Sequence, residues 1–257
     1  MKISQSPFNI VCKIKQEINE KKFKKIAESY DIKGYKRIYL FHIRKTGGTS
    51  LNKMFLYLGN QDYQSSFRKL VHSPDHRILE NEKIFLGWNC KLITKGNYFY
   101  AFSHTPFHKL NLPDKTFTIS CFRDPVKRVI SHYNMLMDFA VNNISHPCMK
   151  TEAKWLGDSF DDFIERIPPQ HLLNQLYMFS PKFNVNDAVN NVKKLSYYFF
   201  TDEFSQGIET LNKKTDLNLK PIHLRKANYH AQIDESSIAK LRKMLEQEYY
   251  FLEKIIE

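Results

Sequence analysis

The run RIYLFHI, Arg37–Ile43, ends abruptly in Arg44-Lys45-Thr46-Gly47-Gly48-Thr49-Ser50, and this junction constrains the fold more than any other part of the chain. A short apolar run rich in aromatic and branched side chains reads as a strand covered on both faces, as in a parallel sheet. Beyond the glycines, Leu51, Met54, Phe55 and Leu58 recur at helical spacing, and Gly59 is expected to cap the helix. The unit is a strand, a glycine-rich loop and a helix.

A second unit follows near the middle. FTISCF, Phe117–Phe122, reads as another buried strand; Asp124 is placed to cap a helix and Pro125 to occupy its first turn, with Val126, Val129, Ile130, Tyr133 and Met137 on its apolar face. Further strands are expected over Tyr98–His104 and Tyr197–Phe204, and one long amphipathic helix from Asp234 through Leu252. Residues 1–36 read as a basic lead-in with a helix over Ile14–Tyr30. Residues 140–182, broken by prolines, read as irregular apart from a short helix over Ser159–Ile167, and are the expected place for acceptor-binding loops. Strands alternating with helices predict a three-layer α/β/α architecture with a largely parallel central sheet, within a single domain spanning residues 1–257.

In open α/β sheets ligands bind beyond the carboxyl ends of the strands, and the Lys45 loop, His104 and Arg123 all fall at such ends. Glycines at a helix start let free N–H groups approach an anion closely; Lys45 adds charge, and the hydroxyls of Thr46, Thr49 and Ser50 add donors. The loop is not a Walker A motif, because the lysine precedes the glycines. Arg123 offers a bidentate fork to a phosphate, and Ser131 lies eight residues further on. His104 has the chemistry of a general base near neutrality, with His108 as the rival; His42 and His132 read as packing or orienting residues.

HIRKTGGTS resembles the 5′-phosphosulfate loop of sulfotransferases that use PAPS (3′-phosphoadenosine 5′-phosphosulfate), especially the carbohydrate branch, whose usual form is close to HIPKTGGTS; here Arg44 replaces the proline. CFRDPVKRVISHY is similar to the family's 3′-phosphate segment, and YAFSH to the strand end where the branch carries Gly-His, with serine here in place of glycine. The resemblance implies a P-loop-kinase-like sulfotransferase fold, PAPS as co-substrate and an acceptor hydroxyl, with carbohydrate as the acceptor class of that branch. It implies donor contacts from Arg44, Lys45, Thr46, Gly47, Gly48, Thr49, Ser50, Arg123 and Ser131, with His104 as base and Lys45 stabilising the leaving phosphate. HLLNQLYMFSP is similar to a stretch that usually carries an arginine after Asn-x-x-x; none occurs here, and no contact is assigned to it. Arg225 and Lys226 in HLRKANY are candidates for a loop closing over the nucleotide.

The balance of 39 Lys and Arg against 27 Asp and Glu leaves a net charge of +12, which favours an anionic partner. Nucleic acid is disfavoured by the lack of an RNP-like strand, zinc-finger spacing or helix-turn-helix signature. A kinase-like phosphotransferase is the alternative enzyme. No clustered carboxylates or His/Cys spacing suggest a metal. The scattered cysteines and the absence of a long apolar run lead to an expectation of a cytoplasmic enzyme, the alternative being the lumenal part of a membrane-anchored one.

Overall fold

A computed structural model describes residues 7–222 and 229–257, with side chains of the first helix described from residue 17. Its sheet contains β1 (Arg37–Phe41), β2 (Arg77–Glu80), β3 (Lys83–Gly87), β4 (Tyr100–Ser103), β5 (Thr116–Phe122) and β6 (Tyr197–Phe200), in the spatial order β2-β3-β4-β1-β5-β6. All neighbours are parallel except β2 and β3. That edge hairpin turns through Asn81 and Glu82, both at positive φ (45° and 58°), the twist a two-residue hairpin turn needs.

Alternation along β1 divides the core. Ile38 and Leu40 face Leu51, Met54 and Phe55 of helix Gly48–Tyr57, with Leu70, Ile208 and Leu211 from two further helices. Tyr39 and Phe41 face the opposite layer, formed by Leu176 and Phe179 of helix Asn174–Phe179, Val192 of helix Val185–Val192, and Phe251 and Ile255 of helix Glu246–Ile256. Both faces of the sheet are therefore covered, the condition under which a parallel sheet is stable. Each fully buried Leu, Ile or Phe contributes about 1.5–3 kcal/mol relative to exposure. A third apolar cluster joins helix Pro125–Val141 to helices Phe160–Arg166 and Glu235–Met244.

Several local expectations need correction. The first helix is Pro7–Glu28 and stops before Tyr30, whose hydroxyl instead donates to the Glu82 carbonyl and accepts from Ile84 N–H, tying it to the β2–β3 hairpin. The stretch read as irregular contains helices Met149–Glu152, Phe160–Arg166, Pro169–Leu172 and Asn174–Phe179, because Pro169 starts a helix rather than breaking one. β6 ends at Phe200, where its partner β5 also stops pairing, and Phe204 begins helix Phe204–Thr215. The single C-terminal helix is two, Glu235–Met244 and Glu246–Ile256, hinged at Leu245 (φ −100°, ψ 4°). The hinge lets Leu241 and Leu245 pack into one cluster while Phe251 and Ile255 pack into another. Gly59 is not a left-handed cap; a Cβ there would lie 2.6 Å from the Phe85 ring, so close packing accounts for the glycine.

Candidate active site

β4, β1 and β5 are adjacent and parallel, with Phe41 in register with Ser103 on one side and Ser120 on the other. The segments leaving their carboxyl ends must therefore emerge side by side. His104 follows β4, the Lys45 loop follows β1 and Arg123 follows β5. The adjacency of three strand ends brings together residues far apart in sequence.

The loop between β1 and its helix is compact. Lys45 and Gly47 have positive φ (67° and 83°), and Gly47 is the helix N-cap. The first helical bonds run from Ser50 and Leu51 N–H to the Gly47 carbonyl, leaving the amides ahead of them without intrahelical acceptors. Gly48 is required by a close approach: a Cβ there would lie 2.0 Å from a carbon of the His42 ring. Thr46 departs from its expected role, because its buried hydroxyl donates to the Ile43 carbonyl at 3.0 Å and so braces the loop. Ser50 is half-buried and Thr49 exposed. Burial, with the charges of Arg123 and Arg44 nearby, lowers the Lys45 pKa to about 8.

Arg44 is turned aside. Its guanidinium pairs with Glu152, whose other oxygen lies 2.8 Å from His132 Nε2, while its backbone N–H donates to Asn174 Oδ1 at 3.2 Å. The Arg44 side chain thus anchors the loop to the helical layer. Burial alone would raise the Glu152 pKa, but His132 and Arg44 outweigh it and lower it to about 2.

His104 Nδ1 lies 2.7 Å from the His42 carbonyl, and the two rings are 4.4 Å apart. The serine before it has a structural explanation: buried Ser103 Oγ hydrogen-bonds the Tyr39 hydroxyl at 2.7 Å and accepts from Thr105 N–H at 3.0 Å, fixing the turn that carries His104. The His104 ring keeps exposed surface, yet neighbouring protein displaces enough water to lower its pKa; the His42 carbonyl opposes this shift and Arg44 reinforces it. His108 lies exposed in the short 3₁₀ turn Phe107–Lys109, against the Tyr177 ring.

Arg123 links the two segments expected to bind anions: its Nη1 donates to the Lys45 carbonyl at 3.1 Å. Beside it opens a cleft lined by Gly47, Ser50, Arg123, Thr201, Asp202, Phe204, Ser205 and Ile222. Thr201, which the expected strand over Tyr197–Phe204 conceals but which follows the end of β6, has a buried hydroxyl with no hydrogen-bond partner among the described residues. Asp202 is held by Lys127 at 3.2 Å. Ser131 is half-buried nearly two turns along helix Pro125–Val141 and is not among the residues lining this cleft. Of HLRKANY, residues 223–228, including Arg225 and Lys226, lie outside the described residues.

Asn174 and Gln175, assigned nothing from the sequence, hold both loops: Asn174 takes the Arg44 amide, and Gln175 both donates to the Arg123 carbonyl and accepts from its N–H. Their signal was hidden because a side chain that binds backbone has no characteristic motif spacing. Among the described residues no three His, Cys, Asp or Glu side chains gather as a metal site would require, and no helix is long and apolar enough to cross a membrane.

A family model described as "Sulfotransferase family" matches residues 28–175, more than half of the chain. No curated protein matches. Similar solved structures include mouse sulfotransferase SULT7A1 complexed with PAP, with 12% identity and a TM-score of 0.36 over 86% of this chain and 68% of that one. Another is retinol dehydratase in complex with androsterone and inactive cofactor PAP, with 12% identity and a TM-score of 0.35 over 81% of this chain and 64% of that one.

Proposed function

The chain belongs to the sulfotransferase family, and from that premise we propose that it transfers a sulfuryl group from PAPS to a hydroxyl of a carbohydrate acceptor, using His104 as base and Lys45 to stabilise the departing phosphate. The observation that carries this reading is the meeting of His104, the Lys45 loop and Arg123 at three neighbouring strand ends, with Arg123 bonded to the Lys45 carbonyl.

The roles follow from charge and proton balance. The acceptor oxygen attacks sulfur and gives its proton to Nε2 of His104. The bond from sulfur to the bridging phosphate oxygen breaks, and the charge that develops on that oxygen is met by Lys45 and the free loop amides. With a pKa of about 8, Lys45 retains its proton at neutral pH. Gly47, Gly48, Thr49 and Ser50 supply the 5′ cradle, braced by Thr46 and Arg44 from behind. Arg123 and Ser131 take the 3′-phosphate, which distinguishes PAPS from ATP, while Phe204 and Ile222 offer apolar cleft walls suited to a base. The acceptor class rests on the KTGGTS form of the loop and on the net charge of +12, which suits an anionic glycan.

Incubation with sulfur-labelled PAPS and a panel of polysaccharides, phenols and tyrosine peptides tests both levels. Label is expected on polysaccharide. Transfer only to phenols would overturn the acceptor class; phosphoryl transfer from ATP with no sulfuryl transfer would overturn the reaction.

A further inference from the structure

We infer that Gln175 is a positioning residue for Arg123, with Glu248 of the last helix holding Gln175 in that role; the inference rests on the proposed donor site. Gln175 is fully buried, and both protons of its side-chain amide are engaged. Oε1 accepts from Arg123 N–H at 2.8 Å, and Nε2 donates both to the Arg123 carbonyl at 2.9 Å and to Glu248 Oε1 at 2.9 Å. One side chain therefore grips both sides of the Arg123 residue, as a neighbouring strand would, at the point where β5 has run out of strand partners.

Glu248 is itself fully buried and serves as the hub. Its Oε2 accepts from Gln175 N–H at 3.0 Å and its Oε1 faces Nε of buried Arg128 at 3.4 Å. The adjacent Tyr249 hydroxyl reaches Asp124 Oδ2 at 2.8 Å, while Asp124 Oδ1 caps the helix by accepting from Lys127 N–H at 2.7 Å. The last helix thus holds Gln175 through Glu248 and the Asp124 side chain through Tyr249, so that it braces both residues of the Arg123–Asp124 pair. An arginine can select a phosphate by its fork only if the fork is aimed, and the backbone from which it is aimed is held here by the Gln175 amide.

The test compares PAP with AMP, which lacks only the 3′-phosphate, by calorimetric titration of the full chain. Arg123→Ala is expected to abolish most of the preference for PAP. Gln175→Met, close in size but without the amide, is expected to reduce that preference by about tenfold while leaving AMP affinity unchanged. Combining the two should cost little beyond Arg123→Ala alone. Gln175→Asn, which keeps an amide but shortens its reach, serves if the methionine variant does not fold. Equal weakening of PAP and AMP, or an undiminished preference in a folded Gln175 variant while Arg123→Ala loses it, would overturn the positioning role and leave the donor site standing. An unchanged preference in Arg123→Ala would overturn the donor reading itself.

Discussion

His104 Nδ1 lies 2.7 Å from the carbonyl oxygen of His42. A carbonyl can only accept, so the neutral ring carries its proton on Nδ1 and keeps the lone pair on Nε2, as the proposed base requires. The β1 strand end thereby sets the tautomer of the histidine delivered by β4, the proposed base. His104→Ala is expected to lower turnover by about 10²- to 10⁴-fold with PAP affinity retained. His108→Ala should stay near wild type; the reverse order of effects, measured by steady-state kinetics, would transfer the base role to His108.

In the proposed mechanism two groups act in opposite states. His104 would act unprotonated, and its pKa is lowered from 6.5, so activity should rise with pH along a limb that ends below 6.5. Lys45 would act protonated, and its pKa is about 8, so activity should fall as pH rises through that value. A profile of kcat/KM should show a bell whose alkaline limb disappears in Lys45→Arg. An alkaline limb unchanged in that variant would assign it to another group.

Lys45→Ala should reduce kcat by about 10²- to 10³-fold, the effect of removing a preorganised charge from a developing oxyanion. Its melting temperature should not fall, because a partly buried cation beside two arginines gains nothing from its neighbours. Loss of folding together with activity would mark Lys45 as structural.

Gly48→Ala should be among the most disruptive small substitutions in the loop. The added methyl would meet the buried His42 ring at 2.0 Å, and overpacking of this kind costs about 1–3 kcal/mol or more. Displacement of His42 also moves the carbonyl that holds His104. Thermal melting and turnover should fall together; a stable, active Gly48→Ala protein would contradict the packing.

Acid should destabilise the fold in two overlapping steps. Burial lowers the His132 pKa to about 4 despite its bond to Glu152, so the unfolded chain takes up a proton that the folded one refuses as pH falls from 6.5 to about 4. Glu152, lowered to about 2, contributes stability above 4.5 that is lost as pH falls from there towards 2. Urea midpoints should decline across the first window, and His132→Gln, which cannot take a proton, should flatten that decline.

The sequence carries the parallel architecture because buried strands and amphipathic helices leave direct periodic signals, and Lys45, His104 and Arg123 stand out because each follows such a strand. The β2–β3 hairpin was invisible: RILE and KIFLG are short, and their turn, Asn81-Glu82, lacks the glycine that usually marks one. Glu152, Asn174 and Gln175 were illegible for another reason. They act through backbone atoms or through Arg44, and only the folded chain places them there. The serine before His104 became intelligible through Tyr39, a partner 64 positions away.

Calorimetric titration with PAP, with and without Mg²⁺ and beside ATP, decides whether the strand-end site is a PAPS site. PAP is expected to bind tightly without needing Mg²⁺, and to bind far more weakly in Arg123→Ala. Failure to bind PAP, or a preference for ATP with Mg²⁺, would contradict the sulfuryl-transfer reading.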